Sequence, residues 1–162
     1  MVTIRTFTPA DSDAVRQLFA RGQLDFAQGT PLEAAVRTYI ERSLSDDLSD
    51  IPSNYQNRSG DNFWVADLDG LVRGMVGIQK RGEAEAELRR MSVARDARRQ
   101  GIGWKLLETV EEFCREQGYS QIFLSTVSQL VPAITMYRKY GFQLTGLEQY
   151  GVMSVHCYIK RL

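Results

Sequence analysis

The chain has 162 residues, the size of one domain with a core that needs no disulfide or metal staple. Lysine plus arginine and aspartate plus glutamate are both 20, so the formal net charge is zero, and non-specific nucleic-acid binding is a poor candidate for the main activity. Hydrophobic residues make up 43% and charged residues 25%, which is a folded rather than a disordered balance.

Val2–Phe7 alternates apolar and polar residues and reads as a first strand. Thr8-Pro9 is an N-cap followed by a proline, and Ala14, Val15, Leu18 and Phe19 share one face of the helix it opens. Thr30-Pro31-Leu32-Glu33 reads as a capping box at the start of a second helix, with Val36, Tyr39, Ile40 and Leu44 at helical spacing. Asp46 to Asn62 is polar and punctuated by Pro52 and Gly60, and is expected to be a long loop with at most one irregular turn, a common form for a binding segment.

Phe63–Leu68 and Leu71–Gln79 flank Asp69-Gly70, a two-residue hairpin signal. Glu87–Val93 is a further strand whose apolar positions, Leu88, Met91 and Val93, break alternation. A β-bulge would restore one inward face. Gly103–Gln117 carries an apolar stripe of Leu106, Leu107, Val110, Phe113 and Cys114, and Gly118 ends it. Gln121–Thr126 is a buried-type strand, and Pro132–Tyr140 is a helix closed by Gly141. Gln143–Glu148 and Val152–Ile159 are the last strands. No repeat or linker interrupts the pattern, so residues 1–162 are expected to form one α/β (α+β) domain.

The two cysteines, Cys114 and Cys157, lack metal-ligand spacing and read as reduced core residues of a cytoplasmic protein. His156, the one histidine, has no neighbouring cluster of acids or thiols. Metal catalysis and Ser-His-Asp chemistry are thus nearly excluded. No apolar run is long enough for a membrane span, and no secretory signal opens the chain.

The chemistry is concentrated between Leu88 and Phe142. A strand ending at Val93 passes through Arg98-Arg99-Gln100-Gly101-Ile102-Gly103 into a long helix. Glycines at such a turn free backbone N–H groups, the helix N-terminus adds partial positive charge, and the arginines add full charge. The result is a pyrophosphate cradle. A P-loop would need Lys-Ser/Thr after its second glycine, and Gly103 is followed by Trp104-Lys105-Leu106. A dinucleotide fingerprint would need a small residue where Leu106 stands.

Arg98, Gly101 and Gly103 match the Arg/Gln-x-x-Gly-x-Gly/Ala turn of the GNAT N-acetyltransferases. Downstream, Ala133-x-x-x-Tyr137-x-x-x-Gly141-Phe142 resembles that family's second signature. The resemblance spans essentially the whole chain. Leu88-x-Arg90-Met91-x-Val93, Gln117-Gly118-Tyr119 and Leu124-Ser125-Thr126 resemble the camello-like branch in particular, without the membrane segment common there.

The resemblance implies a mixed, mostly antiparallel sheet of six or seven strands with about four helices. The strands ending at Val93 and Thr126 would be parallel neighbours that splay to admit acetyl-CoA. It also implies acetyl transfer to a primary amine of a small molecule or peptide by direct attack, in a monomer or homodimer, while composition and charge lead us to expect no metal, no nucleic acid and no membrane. The oxyanion would meet the backbone N–H of Val93, and Met91 and Val93, with Ser92 between them, would hold the pantetheine arm. The pyrophosphate would meet Arg99, Gln100, Gly101, Ile102, Gly103 and Trp104, with charge from Arg98. Ala133 would lie along the arm. Leu130 stands where many members carry an asparagine, and Gln129 is the candidate substitute.

Tyr137 is the implied general acid toward the departing sulfur, and Glu87 the implied base. Read on their own, Tyr137 is a core tyrosine, Glu87 an exposed strand carboxylate, and the arginines a solvated basic face. Tyr39, Tyr55 and Tyr150 are candidates for contact with the acceptor. The competing functional readings are an inactive acyl-CoA-binding module acting as a sensor, and a binder of plain nucleotide phosphates.

Overall fold

A computed structural model describes residues 1–162. The chain forms seven strands, β1 (Val2–Thr6), β2 (Asn62–Leu68), β3 (Leu71–Lys80), β4 (Glu85–Val93), β5 (Gln121–Val127), β6 (Gln143–Tyr150) and β7 (Met153–Arg161). The α-helices are α1 (Ser12–Ala27), α2 (Glu33–Ser45), α3 (Ile51–Tyr55), α4 (Ile102–Glu116) and α5 (Val131–Tyr140). The strands make one sheet in the order β1-β2-β3-β4-β5-β7-β6. Every pair is antiparallel except β4 and β5.

The hairpin between β2 and β3 turns on Asp69 and Gly70, both at positive φ (53° and 89°). That pair of left-handed residues matches the right-handed twist of the flanking strands. Helices cover both faces of the sheet. Gly74 and Gly77 of β3 lie on opposite faces, as strand alternation requires. A Cβ on Gly74 would meet Ile102 and Leu106 of α4, whereas one on Gly77 would meet Tyr55 of α3. Trp64 on the α4 side packs edge-on against Phe113, with ring centroids 5.0 Å apart. The two cysteines are buried and unpaired, Cys114 in α4 and Cys157 in β7.

Two sequence expectations need correction. The segment from Asp46 to Asn62 is not a plain loop. It contains a 3-10 turn over Asp47–Ser49 and the short helix α3, and so raises the number of α-helices to five. Asp47, Leu48, Ile51 and Tyr55 in it are all buried. One buried residue per turn in so short a stretch leaves too little periodicity to read, and the polar residues between them hide it. Arg16 of α1 fixes the segment further, donating to the carbonyls of Leu44 (2.8 Å) and Leu48 (2.9 Å).

The start of α2 is also shifted. Helix geometry begins at Glu33 rather than after Thr30, because the Glu33 carboxylate accepts from the N–H of Gly29 (2.8 Å) and the Thr30 hydroxyl accepts from that of Leu32 (3.1 Å). The Glu33 carboxylate thus reaches the N–H one residue before the one the motif assigns to it.

Gly77 marks the closest approach of α3 to the sheet. A Cβ there would come within 2.7 Å of the Tyr55 ring and 2.9 Å of the Phe63 ring. Gly77→Ala is expected to destabilise the protein by about 1–3 kcal/mol through overpacking, read as a lower urea midpoint. An unchanged midpoint would mean that α3 is free to move away.

Candidate functional site

β4 and β5 are paired at only three positions, Glu85 with Gln121, Ala86 with Ile122 and Glu87 with Phe123. Beyond Glu87 the two strands diverge. The antiparallel pairing of β3 with β4 also shifts there, since Gly77 faces Arg89 while Met75 faces Ser92. Two residues of β4, Arg90 and Met91, therefore oppose one of β3, which is the bulge expected from the broken alternation. Arg90 sits at its centre with φ 58°, in the left-handed region that a side chain ordinarily avoids.

The bulge settles which way the next N–H groups point. Ala94 donates to the carbonyl of Arg73 across the ladder at 2.8 Å. Hydrogen bonds alternate along an antiparallel strand, so the N–H of Val93, one residue earlier, points away from β3. On that side β5 has already departed, leaving an open strand edge.

The divergence creates a cleft of about 580 Å³. Glu87, Met91, Ser92, Ala133 and Tyr137 all line it, as do Tyr39 and Tyr150. α5 supplies Ala133 and Tyr137 from the side of β5. Tyr137 is 4% exposed, packs against Phe142 at 5.8 Å, and its hydroxyl has no protein hydrogen-bond partner. Burial pushes its phenol well above the ordinary value, so the proton stays on at neutral pH.

The second part of the site is the turn into α4. Gly101 caps the helix at φ 75°, and Arg99 before it is also left-handed at φ 66°. The first helical bond is donated by Lys105 to Gly101 at 3.1 Å. The six N–H groups from Arg99 to Trp104 have no acceptor in the protein. Such a run of outward N–H groups at a helix start is a ready anion site. Arg98 and Arg99 are exposed beside it, Arg98 lying 3.8 Å from Asp25. The turn abuts the cleft through Gly103, where a Cβ would approach Met136 of α5 (2.6 Å) and Met91 of β4 (3.6 Å). Trp104 is exposed and leans edge-on against Tyr140.

Not every expected residue is in the cleft. Gln129 is outside it and accepts only from the neighbouring Ser128 hydroxyl (3.2 Å), while Leu130 lines the wall instead. Tyr55 is fully buried and cannot meet an acceptor, because its hydroxyl is spent on Asp47. Sequence reasoning also missed a group of polar residues beneath the cleft. Arg90 donates to Asp47 from Nη2 (2.7 Å) and Nε (3.0 Å), and from Nη1 to the hydroxyls of Tyr39 (2.8 Å) and Ser43 (3.1 Å). Asp47 and Arg90 lie 43 residues apart, so no local spacing signals their meeting.

The sequence model of the acetyltransferase (GNAT) family matches residues 31–142. The chain belongs to this family. Its fold uses acetyl-CoA as co-substrate, and the open edge of β4 with the free N–H run of the α4 turn suits a long, phosphate-ended ligand.

The domain is 39% identical over 124 residues to probable N-acetyltransferase family 8 member 5 of Mus musculus, covering 74% of this chain and 53% of that one. It is 37% identical over 113 residues to N-acetyltransferase 8 of Homo sapiens, covering 67% and 50%. Probable N-acetyltransferase camello of Xenopus tropicalis is 39% identical over 109 residues, covering 66% and 50%. The chain thus spans about half the length of these curated relatives.

A GNAT-family acetyltransferase from Staphylococcus aureus Mu50 superposes with a TM-score of 0.83 over 100% of this chain and 99% of its own, at 23% identity. PaiA N-acetyltransferase from Thermoplasma acidophilum, solved with coenzyme A, gives 0.82 over 100% and 99%, at 18% identity. No helix of this GNAT domain is long and apolar enough to cross a membrane.

Asp47 makes a pH prediction. Burial raises its carboxyl pKa, but the hydrogen bonds and charge of Arg90 outweigh that and hold it below the usual carboxylate range. Its contribution to stability is therefore complete above the unfolded value of about 4 and is lost as pH falls through the lower folded value. Urea midpoints should hold level near neutrality and drop below about pH 4. Asp47→Asn should lose about 3–5 kcal/mol at neutral pH by stranding Arg90, and show a shallower acid decline.

Proposed function

We propose that this GNAT domain transfers the acetyl group of acetyl-CoA to a primary amine by direct attack within a ternary complex. One juxtaposition carries the reading: the N–H of Val93 points away from β3 at the open edge of β4, next to Ser92 of the cleft wall, and the unpartnered hydroxyl of Tyr137 on α5 belongs to the same cleft. The relatives that share this sequence are N-acetyltransferases by name, which supports the same reaction class here.

The roles follow from chemistry. A primary amine with a pKa of about 10.4 must lose a proton before it attacks. Glu87 lines the cleft where β4 leaves β5, and takes that proton directly or through water. As the amine adds to the carbonyl, negative charge collects on oxygen. The N–H of Val93 donates to it, a preorganised donor that costs no rearrangement at the moment of reaction. The departing sulfur then needs a proton. Tyr137 lines the cleft with its proton in place at neutral pH, and supplies it.

Binding divides differently. The edge of β4 from Met91 to Val93, with Ser92 between, takes the pantetheine amides as a strand would. The N–H groups of Arg99, Gln100, Gly101, Ile102, Gly103 and Trp104 take the pyrophosphate, with Arg98 adding charge. Ala133 is small enough to let the arm pass along α5. The acceptor enters from the side of α1, α2 and β6, where Tyr39, Arg42 and Tyr150 form the rim above the buried Phe19.

Tyr137→Phe should bind acetyl-CoA within about twofold of the parent but lose roughly 10²-fold in kcat, the scale of one positioned proton donor. Unchanged turnover would remove Tyr137 from the reaction. A thermal titration with acetyl-CoA, followed by an amine panel read as released thiol, tests the class. At 100 times its Kd the ligand should add about 2.7 kcal/mol. Stabilisation without thiol release on any amine would instead favour an acyl-CoA-binding sensor.

A further inference from the structure

We infer that Asp47 and Arg90 are positioning residues, an ion pair that holds the β4 bulge in the conformation that turns the N–H of Val93 away from β3, onto the open edge beside the cleft. The inference rests on the proposed transfer reaction for its consequence, but its physical basis is independent of it. Arg90 is a non-glycine residue at φ 58°, one of only three in the chain with positive φ. The other two, Asp69 and Arg99, lie in turns, whereas Arg90 is inside a strand. A left-handed residue in a strand interior relaxes to extended backbone unless something holds it.

The surroundings supply the restraint. The Arg90 side chain is 7% exposed and that of Asp47 is 4%. The guanidinium meets the carboxylate with two donors, a planar match that fixes direction as well as distance. Its remaining donor holds Tyr39 and Ser43 of α2. Phe19 of α1 stacks 5.1 Å from it. Asp47 is itself fixed by the Tyr55 hydroxyl of α3. The bulge is thus tied to three helices on the acceptor side. Relaxing Arg90 to extended backbone would remove the extra residue, slide Met91 to Val93 by one position, and turn the N–H of Val93 toward β3.

The sequence could have carried glycine at this position and satisfied the backbone alone. Glycine would make the bulge permissible without making it obligatory. Arginine makes it obligatory, because any other backbone state strands a buried charge on each side.

The test uses the double variant Asp47→Asn with Arg90→Gly. It keeps a residue comfortable at positive φ, leaves no unpaired buried charge, and removes the tie. The variant should fold, with far-ultraviolet circular dichroism like the parent. Its kcat should fall at least about tenfold, and KM for acetyl-CoA should rise with it, since the Met91–Val93 edge shifts with the bulge while the α4 turn is untouched. The second readout needs no turnover. Native-state exchange of the Ser92 amide, which lies across from Met75, should speed up at least about tenfold relative to Val65 of β2, which reports global opening.

Unchanged exchange at Ser92 relative to Val65, or a parental kcat, overturns the inference. If the parent itself transfers no acetyl group, the transfer reading fails and the exchange comparison alone decides the role of the pair. Arg90→Lys, which keeps charge but cannot form the planar two-donor match, should fall between parent and double variant in both measurements.

Discussion

β4 and β5 are joined by a ladder only three residues long, and the rest of the site depends on where that ladder stops. Two parallel strands in mid-sheet normally satisfy each other's backbone along their whole length. Here they cannot, because the bulge at Arg90 and Met91 turns β4 while α5 begins at Val131 and wedges in from the far side. The free edge left on β4 is half-buried, so its N–H groups have lost much of their water without gaining a partner. A ligand with amides of its own completes that edge more naturally than solvent does. The fold therefore carries an unfinished sheet at its centre, kept from closing by side chains on both walls.

The site separates two kinds of recognition. At the start of α4 the backbone does nearly all the work: the Ile102 side chain packs the turn against β3, and the absence of one at Gly103 lets it sit against α5 and β4. In the cleft the balance is reversed. Tyr137, Glu87, Tyr39 and Tyr150 are brought from four different elements, so chemistry and acceptor choice can vary without disturbing the phosphate turn. Beneath both lies the buried pair of Asp47 and Arg90, which connects the acceptor wall to the backbone of β4.

Much of this was legible in the amino-acid order. Asp69-Gly70 forced a two-residue turn, the spacing of Leu88, Met91 and Val93 called for a bulge, and the apolar stripe after Gly101 drew α4 almost to the residue. These are local rules, each satisfied within about ten positions of chain. What could not be read is what depends on distance. The burial of Asp47 makes sense only once Arg90 has been brought to it across two strands and a helix. Tyr55 looked like a loop residue open to substrate because its neighbours, Asn54, Gln56 and Asn57, are polar. It is a core residue because Gly77 and Phe63 make room for its ring. Gln129 does not line the cleft, whereas Leu130, at the position where many family members carry an asparagine, does.

The two cysteines bear on how such a domain can be followed in solution. Cys114 is fully buried, and desolvation pushes its thiol up to about 12; Cys157 is 6% exposed with its thiol also raised. Reaction with chromogenic disulfides proceeds through the thiolate, so both side chains stay silent while the fold is intact. A coenzyme thiol set free at the cleft would be the only fast-reacting sulfur in the cuvette. The same reagent would register both cysteines on unfolding, so one absorbance trace can report turnover in the folded protein and, in denaturant, the loss of the fold itself.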